Sequence, residues 1–117
     1  MRRHCLLAAL PLALLAVPTA GAAPVRNMAP LAKSVGCFAC HAVDHAKVGP
    51  SYAAVAARFA HDPNATAILQ DAILNGHQGT WGIIPMPAYA PDGDLTPRQA
   101  GALARWILSL RQFPKNH

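Results

Sequence analysis

The sequence predicts an all-α fold of about four short helices. Three observations predict it. Apolar residues recur at helical spacing in four stretches, no stretch alternates apolar and polar residues as a half-buried strand would, and helix-start residues stand at three of the expected boundaries.

The chain has 117 residues, the size of a single domain. It opens with a short basic stretch, Met1-Arg2-Arg3-His4, then an apolar run from Leu6 to Val17 broken only by Pro11, then small residues at Ala20 and Ala22. This three-part layout is that of a secretory signal peptide, with cleavage expected after Ala22. The alternative, an uncleaved membrane anchor, would need roughly 20 apolar residues, more than this run supplies. Cys5 precedes the apolar run, where the acylation cysteine of a lipoprotein would not sit. The expected organisation is therefore residues 1–22 as a leader and 23–117 as one domain.

Removing 22 of 117 residues leaves 95, with Cys37 and Cys40 as the only thiols. Losing Arg2 and Arg3 reduces ten Lys and Arg to eight, against five Asp and no Glu, a formal +3. No Lys/Arg cluster supports nucleic-acid binding. Fewer than 100 residues bury a modest core, so a bound apolar group would supply much of the interior.

The first helix is expected over Met28 to Gly36, with Pro30 in its first turn and Leu31, Ala32 and Val35 on one face. Gly36 reads either as a helix stop or as a point of close backbone approach. Helical spacing ends after His41, and Asp44 to Pro50 reads as a loop closed by Gly49-Pro50. A second helix is expected over Tyr52 to Ala60 with Ser51 as its N-cap, and a third from the cap Asn64 through Leu74, with Ile68, Leu69, Ala72 and Ile73 facing inward. Asn75-Gly76 should end it in the left-handed conformation. The last helix opens on Thr96-Pro97-Arg98-Gln99, a capping box with proline at its first position, and carries the stripe Leu103, Trp106, Ile107 and Leu110.

The chemistry concentrates in Cys37-Phe38-Ala39-Cys40-His41. Two cysteines separated by two residues and followed by histidine read as covalent attachment of one haem c. Both thiols can add to vinyl groups on one porphyrin edge, and His41 then supplies the proximal iron ligand. A redox dithiol would need βαβ patterning around it, which is missing, and zinc would want four ligands, whereas the only other cysteine is Cys5, expected to leave with the leader.

Residues 76–95 form a loop of about 20 residues, long enough to be functional or disordered. Trp81, Ile83, Ile84, Met86 and Tyr89 make it too apolar for disorder, so it is expected to wrap over something. Met86, set between Pro85 and Pro87, is the candidate second iron ligand. The plainer role for a lone methionine is to fill a gap in the core. His45, His61, His77 and His117 read as solvated surface groups, His77 standing nearest to a ligand role because it opens the same loop.

Cys37-x-x-Cys40-His41, Gly49-Pro50, Gln78-Gly79-x-Trp81-Gly82 and Ile84-Pro85-Met86-Pro87 together resemble the short bacterial class I monohaem cytochromes c, over nearly the whole of residues 23–117. The resemblance implies the class I cytochrome c fold, four short helices around one covalent haem, with His41 and Met86 as axial ligands. It implies that the Pro50 carbonyl holds the outer nitrogen of His41. It gives Trp81 a hydrogen bond to a haem propionate, and makes Gly36 and Trp106 the close crossing of first and last helices. Two positions depart from the pattern: Ala72 stands where relatives often carry a basic residue, and Tyr89 where they often carry asparagine.

The function expected is periplasmic one-electron transfer, with a soluble monomer passing electrons transiently between respiratory redox proteins such as a nitrite reductase or terminal oxidase. With both axial positions filled, the iron has no place for substrate, so no enzyme activity and no stable membrane insertion are expected. A haem-based gas sensor with a labile Met86, an electron-transfer subunit of a larger complex, and a zinc module are the other classes.

Overall fold

Four α-helices form where the apolar spacing placed them, in a computed structural model that describes residues 10–19, 21, 23–90 and 92–112. Cys5, the cleavage-site residues Ala20 and Ala22, Pro91 and His117 lie outside the described residues. Helix α1 spans Ala29–Ser34, α2 Tyr52–Arg58, α3 Ala65–Asn75 and α4 Pro97–Ser109, with 3-10 turns at Cys37–Ala39 and Leu110–Gln112. Among the described residues only isolated bridges occur outside the helices, His41 with Ala46 and His77 with Met86.

Pro30 lies in the first turn of α1, where its missing N–H has no helical partner to lose. Gly36 ends this segment at φ 85°, ψ 12°, a left-handed conformation that a side chain would oppose. A Cβ at Gly36 would meet nothing within 4 Å. Its role is conformational, and the expected close crossing at Gly36 is not made. The residue of α1 entirely excluded from solvent is Ala32, which shares the core with Leu103, Ala104 and Trp106 of α4.

Ser51 caps α2, its Oγ accepting the Ala54 N–H at 3.1 Å. Asn64 occupies the equivalent position of α3 but its side chain makes no cap. The preceding Asp62 organises that turn instead: its Oδ1 accepts the Asn64 N–H at 2.8 Å and its carbonyl accepts the Ala65 N–H at 3.1 Å. Leu69 and Ile73 of α3 are buried as expected, whereas Ile68 is 40% exposed and turns towards a cavity described below.

Helix α4 begins with a complete capping box. The Gln99 N–H donates to Thr96 Oγ1 at 3.2 Å and the Thr96 N–H donates to Gln99 Oε1 at 2.9 Å, so two otherwise unpaired donors are satisfied. Leu103, Trp106, Ile107 and Leu110 are all buried. α4 packs against both α2 and α3, and the Trp106 ring meets Tyr52 of α2 edge-on, with centroids 5.6 Å apart. Leu10, Leu12, Leu14, Leu15 and Val17 are exposed, and no helix among the described residues is long and apolar enough to cross a membrane.

Thr96→Ala removes one side of the capping box and is expected to destabilise the fold by about 1 kcal/mol, read as a lower midpoint in chemical denaturation with an unchanged slope.

Candidate functional site

Helices α2, α3 and α4 turn apolar side chains towards one cavity of about 330 Å³, lined on its remaining sides by residues of the 36–50 segment and of the loop after α3, and open to solvent in part. That volume lies within the roughly 300–1,000 Å³ of small-molecule and cofactor sites. Val55 and Phe59 of α2, Ile68, Leu69 and Ala72 of α3, and Leu103 and Ile107 of α4 line it. So do Cys37, Cys40, His41, Pro50, Trp81 and Met86, and the structure thus brings every expected site residue to one place.

His41 is held from behind. Its Nδ1 lies 2.8 Å from the Pro50 carbonyl oxygen. A carbonyl can only accept, so Nδ1 carries the proton, and in the neutral ring Nε2 keeps its lone pair for a metal. The ring also stacks on Tyr52, with centroids 5.3 Å apart and planes inclined by 23°. The intervening turn is tied back by backbone bonds from Gly49 N–H to the Cys40 carbonyl at 2.8 Å and from Tyr52 N–H to the Ala42 carbonyl at 2.9 Å. Gly49 makes this packing possible: a Cβ there would lie 2.5 Å from His41 Cε1 and 2.9 Å from Nδ1.

Met86 reaches the same cavity from the loop after α3. Its backbone pairs with His77 in both directions, Met86 N–H to the His77 carbonyl at 2.7 Å and His77 N–H to the Met86 carbonyl at 3.2 Å. Within that clasp the Gln78 side chain donates to the Ile83 carbonyl at 2.7 Å. Beyond it, Tyr89 and Ala90 donate to the last carbonyls of α3, at Ile73 and Leu74. Gly76 adopts φ 78°, ψ 168°, so α3 ends in extended positive-φ backbone rather than the left-handed turn expected at Asn75-Gly76. A Cβ at Gly76 would stand 2.7 Å from the Met86 carbonyl oxygen, which shuts out a side chain a second time. His77, itself exposed, holds the Met86 segment through its backbone.

Among the described residues no Lys, Arg, Asp or Glu lines the cavity. Burial pushes the Cys37 thiol above its usual range, and burial likewise raises the Tyr52 and Tyr89 phenols, so these groups are neutral near pH 7. The charges lie outside. Lys47 donates to the Phe38 carbonyl at 2.6 Å. Asp44 pairs with His45 at 2.8 Å, and that hydrogen bond holds its carboxyl below the ordinary range. Trp81 is 42% exposed, and the Arg58 guanidinium lies 5.2 Å from its ring centroid.

The donor set suits haem: two thiols one turn apart, an imidazole with its outer nitrogen engaged, a thioether, and an apolar uncharged slot between them. Among the described residues no three His, Cys, Asp or Glu side chains gather as a zinc site would require. A family model described as cytochrome c matches residues 28–111. The chain belongs to the cytochrome c family, as a short class I member holding one haem c covalently.

Its relatives narrow this further. Cytochrome c-551 of Pseudomonas aeruginosa is 51% identical over 79 residues, covering 68% of this chain and 72% of the relative. Cytochrome c-552 of Hydrogenobacter thermophilus is 43% identical over 81 residues, covering 69% and 79%. The crystal structure of wild-type Nitrosomonas europaea cytochrome c552 superposes with a TM-score of 0.65 at 41% identity, covering 70% of this chain and 98% of that one. The protein is an electron-transfer haem protein of this kind.

Sequence reasoning missed the contact functions of Gly49 and Gly76 and the placement of Arg58. Gly49→Ala is expected to push the His41 imidazole off the Pro50 carbonyl. The check is the ring N–H resonance of His41 by NMR, which should exchange with solvent faster than in the parent protein; unchanged protection would mean that the turn absorbs the methyl group.

Proposed function

We propose that this protein is a periplasmic one-electron carrier in which Cys37 and Cys40 bind the haem covalently and His41 and Met86 are its two axial ligands. The observation that carries the reading is the shared cavity: both thiols, a histidine with Nε2 left available, and Met86 line the same apolar slot. The bound haem iron supplies the chemistry, cycling between Fe(II) and Fe(III).

The protein's own groups set the terms of that cycle. The soft Met86 thioether and the uncharged walls both favour the less charged, ferrous state and so raise the reduction potential. The Pro50 bond keeps the His41 ring in one orientation in both oxidation states, which limits reorganisation. Trp81, which lines the cavity, would donate its indole N–H to a propionate. With His41 and Met86 both ligating, no position is left for a substrate.

Ile83, Ile84 and Val48 are 87%, 63% and 55% exposed beside this cavity, with Lys47 on the neighbouring turn. A small apolar patch with a basic residue beside it suits brief, charge-steered encounters with redox proteins such as a nitrite reductase or terminal oxidase. The protein acts as a soluble monomer once residues 1–22 are removed on export, and the exposure of Leu10 to Val17 in the described chain supports a leader that takes no part in the core.

Met86→Ala is expected to abolish the sulfur-to-iron charge-transfer absorption and to lower the potential on the order of hundreds of millivolts, within the range axial ligands span. The visible spectrum and a redox titration check it, and an unchanged potential would remove Met86 from the iron.

A further inference from the structure

Among the described residues no Lys or Arg lines the cavity, yet the group it is shaped for carries two propionate carboxylates on one edge. Burying or half-burying those carboxylates without a counter-charge is costly. α3 offers none at this place, since Ala72 presents only a methyl group to the cavity. Lys47 is engaged by the Phe38 carbonyl on the haem-attachment turn. Arg111 lies away from the cavity, beside Ala60, Asp62 and Leu108.

Arg58, the last residue of α2, differs from these. Its guanidinium lies over the ring of Trp81, 5.2 Å from the centroid, within the range of a cation–π contact. Trp81 itself lines the cavity and is 42% exposed, so Arg58, though not a lining residue, lies against a residue of the cavity wall. A guanidinium over an aromatic ring makes no hydrogen bond to it, and its N–H groups remain able to meet a carboxylate in two-point geometry.

We propose that Arg58, held over Trp81, is the cation that pairs with a haem propionate, acting as a positioning and charge-setting residue for electron transfer. The inference rests on haem occupying the cavity as described above. Arg58 places a positive charge on the carboxylate edge of the haem. Ferric iron carries one more positive charge than ferrous, so an added cation disfavours the oxidised state and raises the potential. The Trp81 ring restrains a long side chain that would otherwise lose rotamer entropy on pairing.

The test compares Arg58→Gln and Arg58→Lys with the parent, all as haem-loaded protein. Redox titration at low and at high ionic strength is expected to give Arg58→Gln a lower midpoint potential, Arg58→Lys a potential near the parent's, and a smaller difference at high salt. Arg58 is exposed, so the fold should tolerate both changes. A parent-like visible spectrum in each variant keeps the haem and ligand assignments separate from this result. An Arg58→Gln potential equal to the parent's at low salt overturns the proposal. So does an equal drop in Gln and Lys variants, which would assign Arg58 a packing role without a charge role.

Discussion

The hydrogen bond between His41 Nδ1 and the Pro50 carbonyl is the constraint on which the rest of this site depends. It fixes which imidazole nitrogen is left for a metal, and it fixes the ring's orientation relative to the two thiols on the preceding turn. To make that bond the chain must double back between Cys40 and Ser51. The turn is closed by backbone bonds and admits no side chain at Gly49, where a Cβ would run into the imidazole. Pro50 has no N–H to satisfy in this turn, and its carbonyl accepts the imidazole N–H. Ser51 then caps α2 directly, which ties the position of the imidazole to the helix that supplies Tyr52 and Val55 to the core.

The other wall is built by different means. Residues 76–90 have no helix of their own, and their order comes from a two-way backbone clasp between His77 and Met86 and from bonds onto the last carbonyls of α3. Those carbonyls would otherwise lack partners, so the loop finishes the helix while the helix holds the loop. One proposed ligand, His41, is thus presented by a tight turn and the other, Met86, by a loop laid along a helix end. The helices α2, α3 and α4 supply the apolar surface between them. A chain of this size gains much of its interior from the group enclosed there.

What could be read in the sequence was what is local. The Thr96–Gln99 capping box, the Ser51 cap and the stripe of α4 each rest on residues within a few positions of one another, and each forms as expected. The haem-attachment spacing is local too, as is the pair of prolines around Met86. Asn64 shows the limit of such reasoning. It has the right residue type at the right place, but the turn presents Asp62 to the backbone instead, a choice between two adjacent acceptors that pattern alone does not decide. Ile68 and Ala72 fit an inward-facing pattern, yet they face a cofactor cavity rather than protein, because helical spacing reports the apolar face and not what covers it. Gly36, Gly49 and Gly76 look alike in the sequence. One answers to a backbone angle, one to an imidazole, and one to both an angle and a neighbouring carbonyl. Arg58 reads as an ordinary basic residue closing a helix, and only the fold brings Trp81, 23 positions later, under it.

The central claim is that this cavity holds a haem closed on both faces by His41 and Met86. The most direct measurement is addition of carbon monoxide to the reduced protein at neutral pH, followed by visible absorption. With Met86 in place as the second axial ligand, the reduced spectrum stays unchanged on addition of the gas. A prompt shift to a carbon monoxide-bound spectrum would contradict the closed site and make the protein a ligand-binding haem protein instead.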